Sequence, residues 1–213
     1  MSAAREEILR RVRAALADVP ADERPEDVSV VREYLSSEPE ATLERFVERV
    51  RDYKSLVHLV AGDAIREGVE AAMRELGVSR LAVPLDLPAE WVPGAAVAVP
   101  DDGLSARQLD ELGAALTGCA LGIAATGTVV FDAGALQGRR LLTLVPDVHI
   151  CVIREDQVVD GVPAALRRLA PELRASRRPL TFVSGPSATS DIELARVEGV
   201  HGPRRFALVV ARN

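Results

Sequence analysis

The chain has 213 residues, of which 48% are hydrophobic and only 3% aromatic, and its formal net charge is -6. That length suffices to bury a substantial core in one principal domain, and the scarcity of aromatics leaves Val, Leu, Ile and Ala to fill it, as in strands covered on both faces by helices. The acidic balance, with no Lys/Arg cluster interleaved with aromatics, argues against a nucleic-acid partner.

Residues 3–17 set Ile8, Val12 and Leu16 at helical spacing, with Ser2 as a cap and Glu6 and Glu7 in the first turn. Arg10, Arg11 and Arg13 alternate with apolar positions and read as a solvated face. The segment from Pro20 to about Pro39 is polar and acidic, so residues 1–40 form a helix and linker arm, with the main domain at 41–213. No apolar signal core opens the chain, and no run approaches the roughly 20 residues that span a bilayer, so no membrane span is predicted and a cytoplasmic location is expected.

Leu43, Phe46, Val47 and Val50 predict a helix over 42–53, and Leu56 to Val60 a buried strand in which His58 is a structural residue. Asp63 caps the next predicted helix, whose stripe is Ile65, Val69, Met73 and Leu76 and whose stop is Gly77. The strand Leu81 to Val83 follows, which implies a parallel crossover. Residues 85–103, rich in Pro and Gly, read as an irregular passage, and Ser105 with Gln108 forms a capping box for another helix.

From Cys119 onward, Cys119–Ala124, Thr128–Phe131, Leu141–Val145 and His149–Ile153 read as strands of hairpins or a meander. A helix over 157–173, interrupted near Pro163, then leads to strands at Leu180–Val183 and Phe206–Val210. Cys119 and Cys151, both in apolar runs, suit a reducing compartment, and no metal-ligand spacing is present.

Four constellations carry candidate chemistry. Gly122 to Thr128 is either a close-approach loop for a ligand, through Thr126, Gly127 and Thr128, or a tight hairpin turn. In Gln137-Gly138-Arg139-Arg140 one arginine, taken as Arg139, offers a planar fork to a carboxylate or phosphate, unless the pair is a solvated loop. His149, in a turn between two predicted strands, suits an acid or base if an acidic neighbour orients it. Finally, Ser184 to Glu193 leaves a strand and is dense in hydroxyls. Gly185, Ser187, Ala188, Thr189, Ser190 and Asp191 suit an anion there, while Ser190 and Glu193 also fit a helix capping box. Glu198 and His201 follow closely and, with Asp191 and His149, are the candidate catalytic groups. No G-x-S-x-G, H-E-x-x-H, Walker A or G-x-G-x-x-G pattern occurs.

The stretches Gly122–Thr128, Gly138–His149, Ser184–Glu193 and Gly199–Pro203 resemble the LUD-domain family, in its lactate utilization protein C branch. The resemblance covers the chain from about residue 40 and implies an α/β fold of the NagB/RpiA/CoA-transferase-like class, a parallel-rich sheet flanked by helices. It further implies an accessory role in oxidising L-lactate to pyruvate beside two companions, the iron-sulfur lactate utilization proteins A and B. This chain lacks the cysteines to bind a cluster, so no cofactor is expected on it and the clusters are expected on the partners. The family pattern commonly reads G-I-A-E-T-G-T, whereas Ala125 stands in place of the glutamate. Related CoA transferases use a glutamate nucleophile, so Ala125 speaks against a covalent mechanism and leaves Asp191, Glu193, Glu198 or His201 for any catalysis. The alternatives are a free-standing enzyme acting on a phosphorylated sugar or a CoA thioester, and a scaffold without a ligand site.

Overall fold

A computed structural model describes residues 3–20, 22–29, 31, 42–189, 197–199 and 201–212. The chain divides into two compact units, residues 1–35 and 36–213. In the first unit, helix α1 (Ala3–Ala15) has no buried residue, and Glu7 draws in Arg10 and Arg11 at 2.7 and 2.8 Å on its exposed surface.

The second unit is built on a six-stranded sheet in which every pairing is parallel, of order β1 (Leu56–Ala61), β12 (Arg205–Arg212), β7 (Val148–Arg154), β4 (Ala114–Thr117), β2 (Arg80–Val83), β3 (Val97–Pro100). Helix α2 (Leu43–Asp52) leads into β1 (Leu56–Ala61), and α3 (Ile65–Leu76) crosses to β2 (Arg80–Val83). The crossover is longer than adjacent strands would need, because β12, β7 and β4 lie between β1 and β2. Gly77 ends α3 at φ 68, as expected, but the N-cap is Ala64 without a side-chain bond, so Asp63 is not the cap.

Residues 85–103 are not an irregular passage throughout. They contain edge strand β3 (Val97–Pro100), which pairs with β2. Its exposed face and flanking prolines conceal the alternation that marks a half-buried strand. The capping box holds: Ser105 accepts from the Gln108 N–H, and Gln108 accepts from the Ser105 N–H, at the start of α4 (Ala106–Leu112). Gly113 at φ 75 ends the helix directly before β4 (Ala114–Thr117), a strand too short and alanine-rich to stand out in sequence.

β5 (Leu121–Ile123) and β6 (Thr128–Phe131) form the expected hairpin. They join β8 (Val158–Val159) and β9 (Thr181–Val183) in a separate four-stranded sheet of order β8-β5-β6-β9. The predicted strand Leu141–Val145 is instead the short helix α5 (Arg140–Leu144), because an apolar run of five residues carries no usable period. β7 (Val148–Arg154) is therefore no part of a meander. It lies at the centre of the main sheet beside β12 (Arg205–Arg212), and both are apolar along their length because both faces are covered. Pro163 begins α6 (Val162–Ser176) rather than interrupting it, since a first-turn position has no N–H to lose, and the internal proline is Pro171. The two-residue strands β10 (Ala188–Thr189) and β11 (Val197–Glu198) pair antiparallel.

Alternation along the central strands separates two cores. Val148, Ile150, Val152, Ala207 and Val209 face α3 and Trp91, whereas Cys151, Ile153, Leu208 and Val210 face α2 and the small sheet. The small sheet's other face, with Leu121, Ile123 and Val130, is covered by Ala165 and Leu169 of α6. The result is a parallel α/β layer with a small sheet stacked on one side, and the gap between the layers is where a cavity opens.

Candidate functional site

The cavity measures about 430 Å³ and lies at the amino ends of β7 and β12, between α5, β9 and the loop that follows it. Arg140 and Thr143 enter from α5, His149 from β7, Phe206 from β12, and Ser184 to Ser187 with His201 to Pro203 form the far wall. A larger open concavity of about 650 Å³ borders edge strand β1, but its lining, Leu59 to Asp63 and Arg212, brings few polar side chains together. The smaller one has the convergent polar groups expected of a ligand site.

Two of the sequence candidates on the β5–β6 turn, Thr126 and Thr128, do not line the cavity themselves but connect to its wall through Ser184. The Thr126 and Thr128 hydroxyls lie 2.7 Å apart, and the Thr128 hydroxyl lies 2.7 Å from that of Ser184. Three hydroxyl protons serve two bonds, so one proton of the ladder is spare, and Ser184 is the member of the ladder that lines the cavity. Gly127 itself is the hairpin turn rather than a ligand loop: at φ 60, a Cβ there would stand 2.6 Å from the Arg49 backbone in α2. Gly185 has the same kind of role. At φ 84 it passes Tyr53, whose Cβ would be 2.5 Å from a side chain at that position.

Ser187 is used to close the loop. Its N–H donates to Pro203 O at 2.8 Å, its carbonyl accepts from Gly199 N at 2.9 Å, and its hydroxyl accepts from His201 N at 2.9 Å. This clasp holds the β10–β11 ribbon and brings the His201 backbone to the wall, with the His201 side chain exposed. Ala188 and Glu198 sit opposite each other in that ribbon, next to the pair Thr189 and Val197. Ser190, Asp191 and Glu193, with the proposed capping box, lie outside the described residues.

Arg139 does not face the cavity. Its guanidinium grips Asp101 through two bonds of 2.7 and 2.6 Å and also donates to Leu104 O, tying the start of α5 to the loop before α4. The adjacent Arg140 takes the place assigned to it: it lines the cavity, and among the described residues its guanidinium has no hydrogen-bond or ion-pair partner. One turn of helix sets Arg140 and Thr143 on the same face, as i and i+3. The signal for Arg140 was present in the Arg-Arg pair, but which arginine turned inward was decided by Gly138, at φ 64, and the extended Arg139 that precede the helix.

His149 is 1% exposed and stands between two rings, with centroids 5.3 Å from Phe131 and 5.4 Å from Phe206. The acidic neighbour expected to orient it is replaced by Thr117, whose hydroxyl lies 2.8 Å from Nε2. Thr117 donates its only hydroxyl proton to Gly118 O at 2.8 Å, so its oxygen must accept from Nε2–H. The neutral ring therefore carries its proton on Nε2 and leaves a lone pair on Nδ1. Burial lowers its pKa from 6.5 to about 3, so the imidazole remains neutral near pH 7. Thr117, Thr143 and Phe206 belong to this site without having been singled out in sequence; only the three-dimensional pairing of β4 with β7 reveals the first.

Among the described residues, no group of three His, Cys, Asp or Glu side chains is placed to hold a metal ion, and no helix is long and apolar enough to cross a membrane.

Residues 43–211 match the family model of the LUD domain. The chain is 45% identical over 169 residues to lactate utilization protein C of Deinococcus radiodurans, an alignment covering 79% of this chain and 78% of that protein. It is 33% identical over 92 residues to the uncharacterized protein YkgG of Escherichia coli, covering 42% of this chain and 39% of that one. The crystal structure of a DUF162 family protein from Deinococcus radiodurans superposes with a TM-score of 0.69 at 36% identity, covering 79% of this chain and 95% of that chain.

Proposed function

The chain belongs to the LUD-domain family, in its lactate utilization protein C branch, and from that premise we propose that it is the cluster-free component of an L-lactate utilization system and that its cavity binds a small carboxylate. The observation that carries the reading is the 45% identity to a lactate utilization protein C across most of both chains. In this reading L-lactate is oxidised to pyruvate with release of two electrons and two protons, and clusters on the iron-sulfur lactate utilization proteins A and B accept the electrons. Two cysteines, both buried, are too few for the four thiolates of a common cluster, which supports locating the clusters on partners.

Arg140 supports the carboxylate site because an arginine fork at a cavity wall is suited to a planar anion, and the hydroxyl ladder ending at Ser184 adds a polar group to the same wall. Ala125 lies in the β5–β6 turn with its N–H bonded to Asp160 O, and it offers no carboxylate for a covalent acyl intermediate. Deleting the gene is expected to abolish growth on L-lactate, and the tagged chain is expected to co-purify with cluster-bearing proteins. Undiminished growth together with no such association would remove this reading.

A further inference from the structure

We infer that the open edge of β1 is an interface between two copies of this chain, which join β1 to β1 antiparallel across a twofold axis, so that the six strands of each copy continue into those of the other. This interface is independent of the carboxylate site.

β1 reads Leu-Val-His-Leu-Val-Ala, a composition suited to a strand covered on both faces, yet none of its residues is buried and Leu59 is 39% exposed. Its neighbour β12 is buried from Phe206 to Ala211. The difference comes from position: β1 ends the sheet, bonded to β12 on one side, and among the described residues no strand pairs with its other side. Exposed edges are ordinarily blunted by proline, by lysine or by a short strand. The opposite edge is treated in this way, since β3 has four residues and ends on Pro100. β1 has six residues and neither proline nor lysine among them. Its unpaired N–H and C=O groups, set in an apolar strand, are a template for one more strand.

The flanking charges make a second copy the occupant. Beside β1 runs a groove of about 300 Å³ floored by Leu43, Val47 and Leu59, with charges at both ends. Glu44 and Arg212 mark the carboxyl end of β1, because Arg212 is in register with Ala61 and its guanidinium lies 3.5 Å from Glu44. Arg51 and Asp52 mark the amino end, where α2 turns into β1. A twofold axis normal to the sheet runs the two strands antiparallel and keeps both α2 helices on one side. The amino end of each copy then meets the carboxyl end of the other, Arg51 facing Glu44 of the second copy and Asp52 facing Arg212 of the second copy. Both contacts occur twice, as an isologous interface requires. Within its own chain, among the described residues, the Arg51 guanidinium has no hydrogen-bond or ion-pair partner.

The test is sedimentation velocity of the purified full chain at micromolar concentration, with hydrogen exchange read at β1. The parent is expected to sediment as a dimer, and its β1 amides to exchange faster on dilution. Leu59→Arg puts a charge on the edge and is expected to give a folded monomer by circular dichroism. Arg51→Glu sets Glu against Glu44 twice, and Glu44→Arg sets Arg against Arg51 twice, so each is expected to weaken its own dimer roughly tenfold. Mixed in equal amounts, these two variants regain both attractive contacts and are expected to form a heterodimer as tight as the parent dimer. A monomeric parent would overturn the inference, whether β1 is left open or covered by another part of the chain. A dimer that survives Leu59→Arg would overturn it in favour of another surface. Should Leu59→Arg fail to fold, the mixture decides: two charge variants that pair with themselves as well as with each other would overturn the antiparallel join.

Discussion

The Thr117 hydroxyl and His149 Nε2 meet at 2.8 Å across 32 residues of sequence, inside the core and beside the cavity. Thr117 Oγ1 accepts from the ring and donates to Gly118, so its one proton is spent within the core. Thr117→Val preserves shape but leaves Nε2–H buried without a partner, at a cost of about 1–3 kcal/mol. Urea denaturation is expected to show that loss, with Thr117→Ser recovering most of it.

The same histidine gives the protein an acid sensitivity. Its folded pKa of about 3 lies below the unfolded value near 6.5, so the unfolded chain binds more protons between those limits. Stability from this group is complete above about pH 6.5 and is lost as pH falls toward 3, amounting to about 2 kcal/mol by pH 5. The elements packed against the ring present Thr117, Phe131 and Phe206, none of which titrates in that range, and Arg140 and His201 share the cavity. Unfolding free energies of the parent and His149→Gln are expected to converge between pH 7 and pH 5; a constant difference would contradict the assignment.

The two adjacent arginines separate structure from binding. Arg139→Gln leaves Asp101, whose side chain is 2% exposed, without its fork, and is expected to lower stability by about 1–3 kcal/mol. Arg140→Gln is expected to leave the melting temperature near that of the parent while weakening carboxylate binding. Thermal unfolding and calorimetric titration of both variants check this division.

Gly127 and Gly185 combine a left-handed backbone with a neighbour at less than 2.7 Å from any added Cβ. Gly127→Ala and Gly185→Ala are each expected to cost more than the roughly 1–2 kcal/mol of the backbone conformation alone, because α2 and Tyr53 must also move. Gly94→Ala is the control, since nothing lies within 4 Å of a Cβ there, and it is expected to be near neutral in urea denaturation.

Burial, and then the neighbouring Cys119, push the Cys151 thiol well above its ordinary range. An alkylating reagent at pH 8 is therefore expected to leave Cys151 unmodified in the folded protein and to label it once the chain unfolds, as mass spectrometry would read.

Much of the architecture is a local matter and was legible as such. Phe206 to Val210 and His149 to Ile153 are continuous apolar runs because each is covered on both faces, and the stripe of α3 ends at a glycine that alone takes φ 68 cheaply. Ser105 and Gln108 satisfy each other's N–H groups within one turn, so their capping box needs no tertiary help. The long motifs near residues 122–149 and 184–203 likewise carry the family's pattern in the sequence itself.

What sequence alone determined, then, is the set of strongly periodic elements, the family, and the loops from which a site is drawn. Tertiary structure decided β3, β4 and α5, whose short segments carry too little pattern to reveal their state. It also decided that Arg139 turns to Asp101 while Arg140 turns to the cavity, and that His149 is oriented by a threonine rather than an acid. The physical reason is range: periodicity and capping act within a few residues, whereas a side chain's partner depends on which distant strand the sheet brings beside it, as β4 is brought to β7.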